Sequence, residues 1–331
     1  MAAVGLVGFA GVVVSGLLYI VFLLKGASLK LPSIGMAVFA LMIAAAVLFP
    51  RLESTLLEFL AIGGRPSQTE RVERPAEDGS QSPEAGGFLR QVLLNKRGLV
   101  ITATGLDESG GQGPALKVTV QNRSETDVFI QVHDASVNGY MIDCSFSAAV
   151  TAGQEAKMSI LFPASEIQKS GVRTIAELEL FFRILDRNRI AFLESGAVTV
   201  RTPAADTYRP GPDGTGEELY NENGVRIISK GFAEKGSAFG QGLVLLIENG
   251  SGRAITLQAG DVAVNGSAVD AVFSGDVLAG KRLVAAVTFT DASLQDGGVG
   301  EIRGMSFRVH VLDRERRTAL FDTGTLTAGT G

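Results

Sequence analysis

Cysteine is almost missing from this chain. Cys144 stands alone among 331 residues, which excludes an intrachain disulfide and any site built from several thiolates. Charge is missing from residues 1–50 apart from Lys25 and Lys30. Basic charge is short over the rest: with those two lysines set aside, 28 basic residues face 35 acidic ones over residues 51–331, a formal charge of −7. Nucleic-acid affinity comes largely from cationic neutralisation of phosphates, so nucleic acid is not an expected partner. The signatures G-x-S-x-G, H-E-x-x-H and C-x-x-C are also absent.

What the chain does contain is one passage written twice. Residues 121–153 reappear as residues 248–280, shifted by 127 positions without a gap, and thirteen of the thirty-two positions from Asn122 to Gly153 are identical. The shared residues include Asn122/Asn249, Asp134/Asp261, Asn138-Gly139/Asn265-Gly266, Asp143/Asp270 and Phe146/Phe273. Two copies of one module follow. In each, an alternating apolar run enters Asn-Gly and leaves as another, the pattern of a β-hairpin closed by a type I′ turn.

The first fifty residues differ in kind. The uncharged run from Ala2 to Leu24 is long enough to cross the roughly 30 Å hydrocarbon core as a helix, and Ser33 to Phe49 forms a second, shorter run. Together they predict a transmembrane helical hairpin over residues 1–50, with the lipid bilayer as partner. No basic residue precedes the first run, and the run exceeds a signal-peptide core, so a retained anchor is expected. Lys25 and Lys30 in the connecting loop place that loop in the cytoplasm and both chain ends outside, although Arg51 pulls the other way. Residues 51–87 read as a juxtamembrane turn followed by a stalk rich in Pro, Gly, Ser and charge, too polar to offset its chain entropy.

The first module is expected over residues 88–202 and the second over 219–331, with a Pro- and Gly-rich linker at 203–218. Strands are expected at 99–104, 115–121, 128–132, 135–137, 140–146, 155–162, 175–185 and 197–200. A helical turn in ASEIQKSG is matched by DASLQDGG from Asp291. Seven or eight short strands in about 110 residues suit an all-β fold of two tandem immunoglobulin-like antiparallel β-sandwiches.

The two-span hairpin, the polar stalk and repeats carrying Asn-x-Ser, Asp-x-x-Val-Asn-Gly and a final Leu-Asp-Arg hairpin resemble a known group. It comprises uncharacterised membrane-anchored proteins of Gram-positive bacteria with tandem immunoglobulin-like extracytoplasmic repeats. The resemblance implies location at the cell membrane with the C-terminal modules outside, and it carries no activity with it.

Chemistry is sparse. Gly275-Asp-Val-Leu-Ala-Gly280-Lys281 has P-loop spacing, but Arg282 stands where Ser or Thr should bind magnesium, and a strand follows where a helix is required. His133 and His310 are expected on solvated faces without a partner nearby. Asp134/Asp261 and Asp143/Asp270 bracket each hairpin, yet two acids fall short of the six to eight oxygens that calcium takes. Cys144, whose counterpart is Ala271, reads as a small buried apolar group. The Asn-x-Ser triplets read as turn chemistry without sugar. No catalytic residue, metal or cofactor is expected. One difference between the copies stands out: Phe129, Tyr140 and Met141 become Thr256, Ser267 and Ala268. These three form the candidate interaction surface, and the expected function is a non-enzymatic spacer or a module that binds a protein or a cell-envelope polymer. The alternative is a ligand sensor or accessory subunit in which the transmembrane hairpin is the working element.

Overall fold

The structure, a computed structural model, describes residues 87–329 except 145 and 212–214. The expected transmembrane hairpin and nearly all of the stalk lie outside the described residues. Among the described residues no helix is long and apolar enough to cross a membrane.

The described chain is all-β, and each module has the two packed layers of a β-sandwich. In the first module, β1 (Gln91–Lys96), β2 (Leu99–Asp107), β3 (Ala115–Asn122) and β7 (Glu155–Leu161) form one sheet in the order β1-β2-β3-β7. The facing sheet holds β4 (Val128–Val137), β5 (Tyr140–Met141), β6 (Phe146–Val150), β8 (Glu177–Asp186) and β9 (Ala191–Arg201). Between the layers lies a core that includes Leu99, Ile101, Leu116, Ile130, Phe162, Leu178 and Phe182. The single short helix α1 (Ala164–Ser170) follows β7.

The second module repeats this order. One sheet holds β10 (Glu217–Glu222), β11 (Val225–Ala233), β12 (Gly242–Asn249) and β17 (Arg282–Phe289), with β15 (Ala271–Val272) on β17. The other holds β13 (Ile255–Val264), β14 (Ser267–Ala268), β16 (Ser274–Val277), β18 (Gly304–Asp313), β19 (Ala319–Asp322) and β20 (Leu326–Gly329). The helix α2 (Asp291–Asp296) follows β17, and Thr290 caps it by accepting from the Ser293 N–H. Its core, with Ile227, Leu245, Leu257, Phe307 and Val311, draws on the second module almost alone, the exception being Met141. Residues 87–329 thus carry two cores built from their own side chains, enough to fold without the preceding segment.

The repeated residues are the ones that shape the backbone. Asn138 and Gly139 have φ of 50° and 82°, Asn265 and Gly266 of 52° and 86°, the paired positive values that a type I′ turn requires. The Asn138 Oδ1 also accepts from the Ala176 and Glu177 N–H groups, and Asn265 does the same with Arg303 and Gly304. Asn122 and Asn249, each 1% exposed, hold the Asn-x-Ser turn from inside. Their Oδ1 accepts from the N–H and hydroxyl of Ser124 or Ser251, and their Nδ2 donates to two carbonyls.

Several local expectations change. Strands expected at 128–132 and 135–137 are one strand, β4, bent by a bulge at Asp134, whose φ is 52°; Asp261 repeats the bulge in β13 with the same φ. The expected strand 140–146 stops at Met141, and β6 starts anew at Phe146. Strands β1 and β10 were not foreseen, because a bulge beside Leu93–Leu94 in β1 and beside Glu218–Tyr220 in β10 breaks the alternation. The linker opens with a 3-10 turn at Pro203–Asp206, held by the Thr202 hydroxyl, which donates to the Ile175 carbonyl.

The modules share a sheet. Strand β5 of the first pairs in parallel with β17 of the second, Tyr140 opposite Arg282, and the Arg282 N–H donates to the Gly139 carbonyl at 2.9 Å. The sheet then runs β10-β11-β12-β17-β5-β4-β8-β9 through both halves.

Candidate functional site at the junction between the modules

An assembly of polar side chains forms where the two modules meet. Its apolar floor comes from a difference between the copies. Strand β12, GLVLLIEN, is buried on both faces, whereas its counterpart β3, ALKVTVQN, exposes Lys117. A strand buried on both sides reads as a continuous apolar run, and β12 does so because the first module covers its outer face. Ile228 and Leu246, at positions held by Thr102 and Thr119 in the first module, pack directly on Tyr140, with Val172 and Val284 alongside. Arg282 adds its guanidinium 5.7 Å from the centre of the Tyr140 ring.

Ion pairs frame this apolar contact. The Lys281 Nζ lies 2.9 Å from the Glu179 Oε1, both side chains largely buried. On the other side Arg314, just past the end of β18, donates to Asp134 at 2.5 Å and to Asp276 of β16 at 2.8 Å, joining the first module's bulge to the second module. The same Asp134 carboxylate lies 2.7 Å from the His133 Nδ1. Burial pushes the Asp134 carboxyl up, but the hydrogen bonds from Arg314 and His133 outweigh it and hold the group below the usual carboxylate range. Arg314 is held above its ordinary value by the same bond to Asp134.

His133, Asp134, Asp276 and Arg314 line a cleft of ≈ 690 Å³ open to solvent, to which Cys144, Asp143 and Leu283 also contribute. Histidine, aspartate and cysteine therefore converge, a constellation that invites a nucleophilic reading. The thiol does not support it. Burial pushes the Cys144 thiol up to about 12, with Asp143 adding to the shift, and its Sγ donates to the Leu161 carbonyl at 3.3 Å. An activated cysteine needs the opposite shift. Among the described residues no group of three or more His, Cys, Asp or Glu is placed to hold a metal ion.

The sequence-derived candidates separate here. Tyr140 is buried in the junction, and Met141 is half-buried against the second module's core, so the sticky hairpin has its partner within the chain. Phe129 does not join them. It stands at the start of β4, half-buried, with the Arg189 guanidinium 3.7 Å from its ring centre. The histidines do have partners: Asp134 adjoins His133, and Asp322 meets the His310 Nδ1 at 2.8 Å from the neighbouring strand β19. Glu179 was missed, and Lys281 and Arg314, noted only within the P-loop-like spacing and the Leu-Asp-Arg motif, were not read as junction residues because nothing local marks their partners. The one available signal was the apolar outer face of β12, compared position by position with β3.

The remaining motifs are structural. Gly275 to Lys281 runs from β16 into a turn, and Arg282 begins β17, so no helix end faces the glycines. The Leu-Asp-Arg motif is a turn in which the aspartate accepts from two N–H groups ahead of it: Asp186 from Asn188 and Ile190, Asp313 from Glu315 and Arg316.

No protein-family model matches the chain, and no curated protein sequence matches it significantly. Among solved structures, the YadV chaperone aligns over 70% of this chain and 99% of its own, at 13% identity and a TM-score of 0.22. The complex of the Salmonella enterica SafA pilin with the SafB chaperone aligns over 71% and 98%, at 10% identity and 0.23. Chicken MD-1 complexed with lipid IVa aligns over 35% and 99%, at 9% identity and 0.18. None is similar enough for its role to transfer.

Proposed function

We propose that this chain is a membrane-anchored, non-enzymatic surface protein. Two immunoglobulin-like sandwiches, carried outside the cell on a polar stalk behind a transmembrane hairpin, act as a spacer or as modules that bind a protein or an envelope polymer. The observation that carries this reading is the junction. The side chains that distinguish the two copies, Tyr140 with Ile228 and Leu246, are used to set one module against the other, and the repeated residues are used to shape turns. A fixed angle between modules is what a spacer needs, and the histidine and thiol in the cleft are tied to structural partners. The apolar runs in residues 1–50, the stalk's composition and the resemblance to Gram-positive membrane-anchored proteins support the anchored setting.

A ligand sensor is the second reading, and the cleft favours it, because residues of both modules line it and a bound ligand would bear on the angle between them. Two measurements decide. In intact cells, an impermeant thiol reagent should label a Ser80→Cys variant; labelling only after lysis overturns the external setting. Replacing residues 1–50 by an unrelated anchor should preserve a spacer's role and abolish that of a sensor.

A further inference from the structure

Two polar contacts of the junction, one from a strand edge and one from an ion pair, join elements whose counterparts in the other copy take no part in it. From the first module come the hairpin carbonyl of Gly139 and the bulge carboxylate of Asp134; from the second, the Arg282 N–H at the start of β17 and Arg314 after the Leu-Asp turn. The counterparts of the first pair are Gly266 and Asp261. Among the described residues β14, which follows Gly266, pairs only with β13, and Asp261 is exposed, with Arg308 3.6 Å away as its ion-pair partner. Asp261 and Asp270 line an open groove on α2, where the small residues Gly260, Ala268 and Ala271 stand in place of His133, Met141 and Cys144. The counterparts of the second pair are Glu155, at the start of β7, and Arg187. Strand β7 pairs only with β3 among the described residues, and Arg187 is exposed after Asp186.

We propose that a second copy of this chain docks on these surfaces head to tail, repeating the internal junction between molecules. Arg187 of one copy enters the Asp261 groove of the next, and the Glu155 N–H of the first donates to the Gly266 carbonyl of the second. Charge complementarity is retained between Arg187 and Asp261, and the strand-edge bond uses backbone alone, while Gln154 and Ser306 stand where Lys281 and Glu179 pair in the internal junction. The apolar part is not retained: Ser267 replaces Tyr140, and Thr102, Thr119 and Lys157 replace Ile228, Leu246 and Val284. A polar interface built on one hydrogen-bonded edge and one ion pair is reversible, as contacts between separately folded molecules are, while a permanent interface resembles a core. Inside the chain the linker already supplies an effective concentration in the millimolar range. Between chains, crowding at a surface must supply it. The proposal names a partner for the interaction modules described above and rests on that reading only in treating the modules as binding surfaces.

The test is disulfide trapping with residues 87–331 in a Cys144→Ala background, alanine being what the second module carries at that position. Tyr140 and Arg282 are strand partners within the chain, so Ser267→Cys in one copy and Glu155→Cys in another should fall opposite each other, within bridging distance. Mixed under mild oxidation, they should cross-link at least about tenfold faster than Ser267→Cys with a control thiol at Thr126. Adding Asp261→Arg to the Ser267→Cys copy should remove that advantage, and adding Arg187→Asp to its partner should restore it. A rate equal to the control, or one indifferent to both charge reversals, overturns the proposal. The anchor replacement above is unaffected by either result, so the two readings fail separately.

Discussion

Arg314 of the second module donates to Asp134 of the first at 2.5 Å, across 180 residues of sequence, and the aspartate that receives it sits at a backbone φ of 52°. The bulge turns the carboxylate out of β4 toward the neighbouring module, so a local irregularity in one copy becomes the contact point for the other. Replacing Asp134 by Asn leaves the bulge possible, since Asn tolerates the left-handed region, and removes the charge. Urea unfolding should show a loss of about 2 kcal/mol, the range for a hydrogen bond between charged groups. Asp261→Asn, at the equivalent exposed position, should stay within about 0.5 kcal/mol.

Tyr140 carries the apolar part of the junction. Tyr140→Ala should cost about 3 kcal/mol, as aromatic truncations in packed sites do, and should split one unfolding transition into two as the modules uncouple. Ser267→Ala, the same change at the other hairpin, should be nearly silent. A single unchanged transition in Tyr140→Ala would show that Tyr140 does not carry the coupling between the modules.

Acid should open the junction before it unfolds the modules. The Asp134 carboxyl is held below its ordinary value of 3.8 in the folded protein. A depressed carboxylate contributes stability that is fully present above its unfolded value and is lost as the pH falls through the folded one. Contact between the modules should therefore be constant from neutral pH down to about 5 and weaken below about 4. Fluorescence transfer between dyes placed on the two modules would follow it, and Asp134→Asn should flatten the profile.

Asn122 and Asn249 each satisfy four hydrogen bonds from inside their turns. Replacement of either by Ala strands buried carbonyls and should cost about 2 to 3 kcal/mol. The two losses should be similar, and urea denaturation of each variant measures them.

Cys144 should be inert. With its thiol pushed up to about 12 from an ordinary value of 9.0, roughly one molecule in ten thousand carries the thiolate at pH 8, against about one in ten when unfolded, and alkylation of the native protein should be about a thousandfold slower than in urea. Rapid native-state alkylation would restore the nucleophilic reading of the cleft.

Turn chemistry was fully readable along the chain. Asn-Gly needs positive φ at both positions, and that demand is met within two residues, so both hairpins could be placed without any knowledge of their surroundings. Alternation likewise located most of the strands, and it failed at Leu93–Leu94 and at Asp134, where a bulge shifts the period by one. The histidines show the other limit: Asp134 adjoins His133, but the distance that makes it a partner depends on the bulge, and Asp322 reaches His310 only through the pairing of β18 with β19.

The sequence by itself determined that the molecule carries two copies of one strand-built unit, because duplication, periodicity and turn residues are local properties that each segment satisfies alone. Only the tertiary structure decided where Tyr140, Glu179, Lys281 and Arg314 go. Their partners lie in the other copy, and what selects them is the apolar outer face of β12, a surface whose exposure or burial depends on what is folded against it.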